Sequence, residues 1–364
     1  MEPVREMTIG ANTDFPTSAG LAYRRFPVRG KIGAPRQTRE RTVKDAEGAV
    51  DRLENFPITF FAIVMGMFGL TLATHAAEQT YKLGSAVSVG ILAVSVAILV
   101  VVSAVYAMKL ATHRAAVVEE WAHPIKIAFF PTMSISLLLL AVAILPYSRA
   151  AATALWIVGT GVQGVLTLSV IANWIGHRPF QHVHLGPAWF IPAVGNVIVP
   201  VAGANLGFIE LSWLFFSAGL VFWVVLLTLV MNRLIFHDPL PARLVPTLVI
   251  LIAPPAVAFI AYFRLNGEVD TFARILLNSG YVFAGIVLTQ VGKFTRLPFA
   301  LSWWALSFPV AALTIASFLY AGQAHSEGHR IIGTVLLVLL AVIVVGLLFR
   351  TARAIASRKI CMPE

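Results

Sequence analysis

The chain has 364 residues, of which 58% are hydrophobic and 12% are charged, and its mean hydropathy is +0.83. This composition excludes an ordinary soluble domain and indicates an integral membrane protein. A transmembrane β-barrel is excluded because its strands would alternate in hydrophobicity, whereas the apolar runs here are continuous. The net charge of +10 follows from an uneven distribution of Lys and Arg across a membrane, so it does not indicate nucleic-acid binding.

Residues 1–55 differ in composition from the rest of the chain. They contain ten Lys or Arg and eight Asp or Glu, and they lack an apolar run that could form a core or a signal peptide. We predict a flexible, charged cytoplasmic tail. The single cysteine, Cys361, excludes an intramolecular disulfide and a cysteine-based metal cluster.

Ten apolar stretches follow, each long enough to cross a bilayer. They cover residues 57–74, 84–108, 127–146, 150–175, 187–208, 210–232, 244–263, 272–292, 298–321 and 330–349. The sequence therefore predicts an all-α membrane protein with ten transmembrane helices, arranged as five helical hairpins in one domain over residues 56–350. Residues 351–364 are predicted to form a short basic cytoplasmic tail.

Within these stretches, prolines occur only in the odd-numbered ones. A proline removes a backbone donor and kinks a helix, which lipid tolerates only where protein or water satisfies the freed carbonyl group. We therefore predict that the odd helices lie inside, around a central pore, and that the straight even helices face lipid. The predicted kinks are at Pro57, Pro131, Pro192, Pro254 and Pro309.

An aromatic residue stands at or just before the proline in four of the odd stretches. These residues are Phe56, Phe130, Phe190 and Phe308. The recurrence indicates a repeated helical hairpin, and we take the first three as candidate pore-lining aromatics. For Phe308, the sequence alone leaves open whether the ring packs in the core or projects into the pore.

Charged residues are absent from the interior of all ten stretches. Ion-coupled transporters usually keep an ionisable group at membrane depth, whereas passive permeation needs none. The pattern thus favours uncoupled transport. No combination of nucleophile, base and orienting group occurs at membrane depth, so we expect no enzymatic activity.

Three motifs that could suggest other functions are better explained by packing or by exposed loops. Gly159, Gly161 and Gly164 form a GxGxxG pattern inside an apolar helix, where close helix packing explains them better than dinucleotide binding. The loop at residues 177–184 contains three histidines without Cys or acidic partners, which favours a polar cytoplasmic loop over a metal site. Glu119, Glu120 and His123 are likewise assigned to a solvated face. The sequence thus predicts no cofactor and no metal.

The distribution of basic residues predicts the orientation. If the ten helices alternate across the membrane, 22 of the 27 Lys and Arg lie on the side of both termini. The positive-inside rule then places both termini in the cytoplasm of a bacterial inner-membrane protein.

Three segments of the sequence resemble one known family. Residues 55–61 (NFPITFF), 187–195 (PAWFIPAVG) and 302–309 (SWWALSFP) are similar to the bacterial tellurite-resistance/dicarboxylate transporter family, which includes the plant guard-cell slow anion channels. The resemblance covers all ten helices and leaves the N-terminal tail outside.

The resemblance implies a homotrimer in which each subunit has its own pore, with five inner odd helices and five outer even helices. It also implies permeation of small anions and a pore blocked by a phenylalanine of the ninth helix, here Phe308. Two functions stay open: a passive gated anion channel or uniporter, and a secondary carrier that exports a C4-dicarboxylate or tellurite.

Overall fold

A computed structural model describes residues 51–176, 180–294, 297–358 and 360–362. Most of the predicted N-terminal tail, residues 1–50, lies outside the described residues, as do His177 and its two following neighbours in the histidine-containing loop. The described residues form helices and connecting segments, with no β-strand among them. This agrees with the predicted all-α class.

Ten helices among the described residues are long and apolar enough to cross a membrane. They are α1 (Ile58–Thr80), α2 (Ala86–Thr112), α3 (Lys126–Ile144), α4 (Arg149–Ile175), α5 (Pro187–Leu206), α6 (Ile209–Phe236), α7 (Ala242–Asn266), α8 (Thr271–Leu288), α9 (Leu301–Ala324) and α10 (Glu327–Ala356). Two further α-helices, Arg114–Ala122 and Val291–Phe294, and a short 3-10 helix, His182–His184, lie between spans in the described part of the chain. The number and order of the spans agree with the sequence, whereas several ends differ.

The two largest differences lie at helix ends that contain charged residues. Helix α1 continues past the predicted end at residue 74 and includes His75 and Glu78, while α10 continues past residue 349 to Ala356. Glu78 can be buried because its Oε1 accepts hydrogen bonds from the backbone N–H groups of Val87 and Ser88, at the start of α2. A hydropathy pattern does not reveal such capping, because the partners lie in the next helix.

The odd helices open differently from the even ones. Each odd helix begins with a 3-10 segment, and α5 has a second 3-10 segment in its middle. The even helices are α-helical over their whole ranges. The opening segments are Ile58–Phe60, Lys126–Phe129, Pro187–Trp189, Ala242–Ile252 and Leu301–Leu306.

Most of the predicted kink prolines lie where a 3-10 segment or a loop passes into helix. Pro57 precedes the first 3-10 segment, Pro131 precedes the α-helical part of α3, and Pro254 and Pro309 lie in the first turn of the α-helical parts of α7 and α9. A first turn tolerates proline because its N–H groups have no partner within the helix. Pro192 likewise lies in the first turn of an α-helical segment, the short Phe190–Val194 of α5.

Burial separates the two sets of helices. Within an apolar 18-residue window of each span, 61% to 83% of the residues are buried in the odd spans, compared with 22% to 33% in the even spans. Each odd helix packs against the even helix that follows it, and contacts among the odd helices run from α1 through α3, α5, α7 and α9 back to α1. The odd helices thus form an inner ring, in agreement with the position inferred from their prolines.

A charged group lies buried where the sequence indicated a solvated face. Glu120, on the short helix Arg114–Ala122, is 6% exposed, and its carboxylate lies 3.0 Å from the Nζ of Lys109 in α2. It also accepts hydrogen bonds from Tyr106 Oη and the backbone N–H of Ile58. The assignment of Glu120 to a solvated face is therefore wrong, because these donors replace water, whereas Glu119 is exposed as expected.

Candidate functional site

A cavity lies inside the ring of odd helices. Its volume is about 70 Å³. A water molecule needs roughly 10–15 Å³ on the same measure, so the cavity has room for a few waters. All five odd helices contribute to its lining, including Met65 of α1, Ile135 of α3, Gly195 of α5, Val257 of α7 and Phe308 of α9.

The half-buried ring of Phe308 lies in this lining, together with the following Pro309. Its position depends on a close approach of α9 to α1. A Cβ atom at Gly66 would lie 2.9 Å from Trp304 Cε3, and one at Gly69 would lie 2.9 Å from the Cβ of Ala311. Only glycine leaves the space for this contact, which seats the start of the α-helical part of α9 against the cavity.

The three other candidate aromatics lie in different places. Phe190 is buried and lines the cavity. Phe130 does not contribute to the lining and packs edge-on against Trp121, while its neighbour Phe129 faces the cavity instead. Phe56 also lies outside the lining and stacks on Phe60, with ring centroids 4.2 Å apart. Of these three residues, only Phe190 faces the cavity.

The predicted kink prolines divide in the same way. Pro254 and Pro309 belong to the lining, whereas Pro57, Pro131 and Pro192 do not.

Among the described residues that line the cavity, none is charged. The two side-chain hydroxyl groups of the lining both donate to backbone carbonyls: Thr132 Oγ1 to Phe129 O at 2.5 Å, and Ser302 Oγ to Arg243 O. The indole N–H of Trp304 donates to Thr351 Oγ1 in α10. An ion that enters this space loses hydration without gaining new ligands, which is the physical basis of a hydrophobic gate.

A buried polar network lies directly behind the cavity wall, and the search of the sequence for Asp, Glu, Lys and Arg missed it. Gln163 of α4 is fully buried and accepts a hydrogen bond from Ser134 Oγ in α3. Its amide Nε2 donates to Thr167 Oγ1 and to the carbonyl of Pro192 in α5. An uncharged Gln in an apolar span is a signal that could have identified this position.

Two of the three glycines assigned to helix packing do lie against neighbouring helices, whereas Gly161 has nothing within 4 Å of its Cβ position. A Cβ at Gly159 would lie 3.1 Å from Leu138, and one at Gly164 would lie 3.2 Å from Phe215, so both glycines face neighbouring helices. In the described part of the histidine-containing loop, His182 stacks on His237 with ring centroids 4.5 Å apart. The described residues contain no group of three or more His, Cys, Asp or Glu that could hold a metal ion.

Comparison with known families identifies the family of the chain. The sequence profile of the family described as voltage-dependent anion channel (SLAC1) matches residues 55–352, which contain nearly all of the ten spans. The chain belongs to the voltage-dependent anion channel family. The resemblance inferred from three short segments is thereby confirmed.

Relatives of this SLAC1-family protein occur in plants, bacteria and archaea. The chain is 28% identical to the S-type anion channel SLAH3 of Arabidopsis thaliana, over 82% of this chain and 48% of that protein. It is 29% identical to the tellurite resistance protein TehA homolog of Haemophilus influenzae, over 71% of this chain and 79% of that protein. It is 24% identical to the uncharacterized transporter MJ0576 of Methanocaldococcus jannaschii, over 75% of this chain and 86% of that protein. The matched region spans about half the length of plant relatives such as SLAH3 and SLAH2.

Proposed function

We propose that this protein is a passive, gated channel for small anions, with a pore in each subunit that runs through the ring of odd helices. The observation that supports this most directly is the uncharged cavity on the ring's inner side, lined by all five odd helices and by the Phe308 side chain. A narrow apolar segment excludes water and ions until it widens, so it can act as a gate without a coupling ion.

Phe308 is the proposed gate. Its ring is only half-buried, it adjoins Pro309, and glycines on α1 hold its helix close to the cavity. Moving or removing the ring would enlarge the apolar constriction and lower the cost of hydrating it. The family relationship supports the anion as the permeating species, since the plant relatives are named anion channels.

The test is anion flux in proteoliposomes for wild type and Phe308→Ala. We expect a several-fold higher chloride conductance for the variant, with unchanged assembly. Phe130→Ala is the matched control, because Phe130 also precedes a proline but lies outside the cavity lining. A well-folded Phe308→Ala variant with wild-type or lower currents would show that this ring only packs and that the gate lies elsewhere.

The second candidate is a secondary carrier that exports a C4-dicarboxylate or tellurite; the Haemophilus relative is named a tellurite resistance protein. The two functions differ in their coupling. We expect currents that reverse at the anion equilibrium potential and do not respond to a proton gradient imposed at constant voltage. Flux driven by a proton or sodium gradient under those conditions would favour the carrier.

The remaining features of the proposal follow from the sequence and the family resemblance. We propose a homotrimer in the bacterial inner membrane, surrounded by lipid, with both termini in the cytoplasm. We also propose that the protein has no enzymatic activity.

A further inference from the structure

The breaks in the odd helices raise a problem for an anion pore. Proline and the change from 3-10 to α-helix leave backbone carbonyl groups without their regular helical donors. Carbonyl oxygens that face a pore attract cations and repel anions. A channel whose inner helices all contain such breaks therefore needs donors that occupy these oxygens.

Hydroxyl groups within the inner helices supply some of those donors. Thr132 Oγ1 donates to Phe129 O, Thr247 Oγ1 to Leu244 O at 2.6 Å, and Ser307 Oγ to Trp304 O at 2.6 Å. Ser and Thr in helices often bond to a carbonyl three or four residues earlier, so these bonds alone do not indicate a role in selectivity.

Helix α5 has such a donor of its own, Asn196 Nδ2 to Ala193 O, but the carbonyl of Pro192 receives its donors from the outer helix α4. Thr167 Oγ1 lies 2.8 Å from the carbonyl oxygen of Pro192, and Gln163 Nε2 lies 3.2 Å from it. A carbonyl oxygen has two lone pairs, and two donors from another helix are directed at this one. Both side chains are buried. The Ser134 hydroxyl lies 2.7 Å from Gln163 Oε1 and 2.9 Å from Pro131 O, and Thr167 Oγ1 lies 3.2 Å from Asn196 Oδ1, farther than from the Pro192 oxygen.

This carbonyl group lies next to the cavity wall. The adjacent residues Ile191, Val194 and Gly195 line the cavity. A Cβ at Gly195 would lie 2.8 Å from Gln163 Nε2, so only the thickness of the α5 backbone separates this amide from the cavity. If the donors were removed, the Pro192 oxygen would need another partner, and the cavity beyond the α5 backbone has room for water.

We propose that Gln163 and Thr167 are selectivity-determining residues, which keep the pore favourable to anions by occupying the carbonyl oxygen of Pro192. This inference rests on the proposed channel function. In the variants, the α5 backbone would turn this oxygen towards pore water, where its partial negative charge would attract cations and hinder anions.

The experiment measures the chloride-to-potassium permeability ratio from reversal potentials in planar bilayers under a KCl gradient. Thr167→Val preserves shape and removes one donor, and Gln163→Met removes the other. Thr167→Ser retains the hydroxyl and should keep the wild-type permeability ratio. Thr314→Val is the matched control, because it removes a buried hydroxyl that donates to Val310 O in α9, away from this network.

We expect the permeability ratio to fall by about threefold or more in Thr167→Val and Gln163→Met, and to stay at the wild-type value in Thr167→Ser and Thr314→Val. Because both residues donate to one oxygen, the permeability ratio of the double variant should fall by a smaller factor than the product of the factors for the two single variants. Folded variants with a wild-type ratio would overturn the inference.

A second measurement separates this inference from the channel proposal. Potassium uptake into liposomes is recorded for the same variants, whether or not chloride currents are found. A wild type without anion conductance would refute the channel proposal. In that case, higher potassium uptake by Thr167→Val than by Thr314→Val would still support the role of the covered carbonyl, and equal uptake would overturn it.

Discussion

Glu120→Gln should destabilise the protein far more than the neighbouring change Glu119→Gln. The Glu120 carboxylate lies 3.0 Å from Lys109 Nζ, and the two residues are 6% and 1% exposed. Glutamine has one amide oxygen, so it can accept from the backbone N–H of Ile58 or from Tyr106 Oη but not from both, since these two groups donate to different oxygens of Glu120. The change also removes the countercharge of Lys109. The lysine would then retain the carbonyl of Phe56, 2.9 Å away, and the ring of Tyr106, whose centroid lies 5.8 Å from its Nζ, but no countercharge from Glu120.

The expected magnitude follows from the burial of this pair. Removing one partner of a buried ion pair costs about 3–5 kcal/mol, because the other charge remains desolvated. For a chain of this size, each kcal/mol lowers the melting temperature by about 2 °C, so we expect a decrease of roughly 6–10 °C. Since Glu120 holds the first residues of α1, the loss should loosen the start of the inner ring.

The assay is the temperature at which half of the detergent-solubilised protein leaves the monodisperse peak in size-exclusion chromatography. Glu119→Gln is the control for charge, because that side chain is exposed. The double variant Lys109→Met with Glu120→Gln removes both charges and should recover most of the loss. The reasoning is refuted if Glu120→Gln melts at the same temperature as Glu119→Gln. It is also refuted if the double variant loses as much melting temperature as the two single changes together.

Three further predictions concern other parts of the chain. Gly66→Ala should lower the free energy of unfolding by about 1–3 kcal/mol, because the added Cβ overpacks against α9. Gly161→Ala should not destabilise the protein, because nothing lies within 4 Å of the added Cβ. The melting temperatures of the two variants test this. Hydrogen bonds from the backbone N–H of Ala273 and from Tyr262 lower the pKa of Asp270 below its ordinary value of 3.8. The ionised Asp270 therefore stabilises the fold fully above pH 3.8, and this stabilisation is lost as the pH falls through the lower pKa of the folded state. The melting temperature of Asp270→Asn should thus depend less on pH in that acidic range than the melting temperature of the wild type. Reporter tags at both termini should be cytoplasmic and a tag at Gly267 periplasmic; a periplasmic terminus would contradict the orientation.

The sequence by itself was sufficient for the class of protein, the ten spans and the inner position of the odd helices. Each of these depends on local properties of the chain. The thickness of the bilayer sets the length of an apolar span, and a proline restricts its own helix wherever that helix lies. The family resemblance was likewise readable from three short segments, because their residues are contiguous.

Only the tertiary structure decided which side chains face the cavity and which polar groups are paired. Successive residues point about 100° apart in an α-helix and about 120° apart in a 3-10 helix, so a change between the two alters which neighbour faces inward. Phe129 rather than Phe130 therefore lines the cavity. The partners of Glu120 and Gln163 come from other helices, and one sequence does not show which distant residues meet. Burial of a polar group is stable only with such partners. Since the sequence does not show them, it indicated a solvated face for Glu120 and an ordinary apolar span around Gln163.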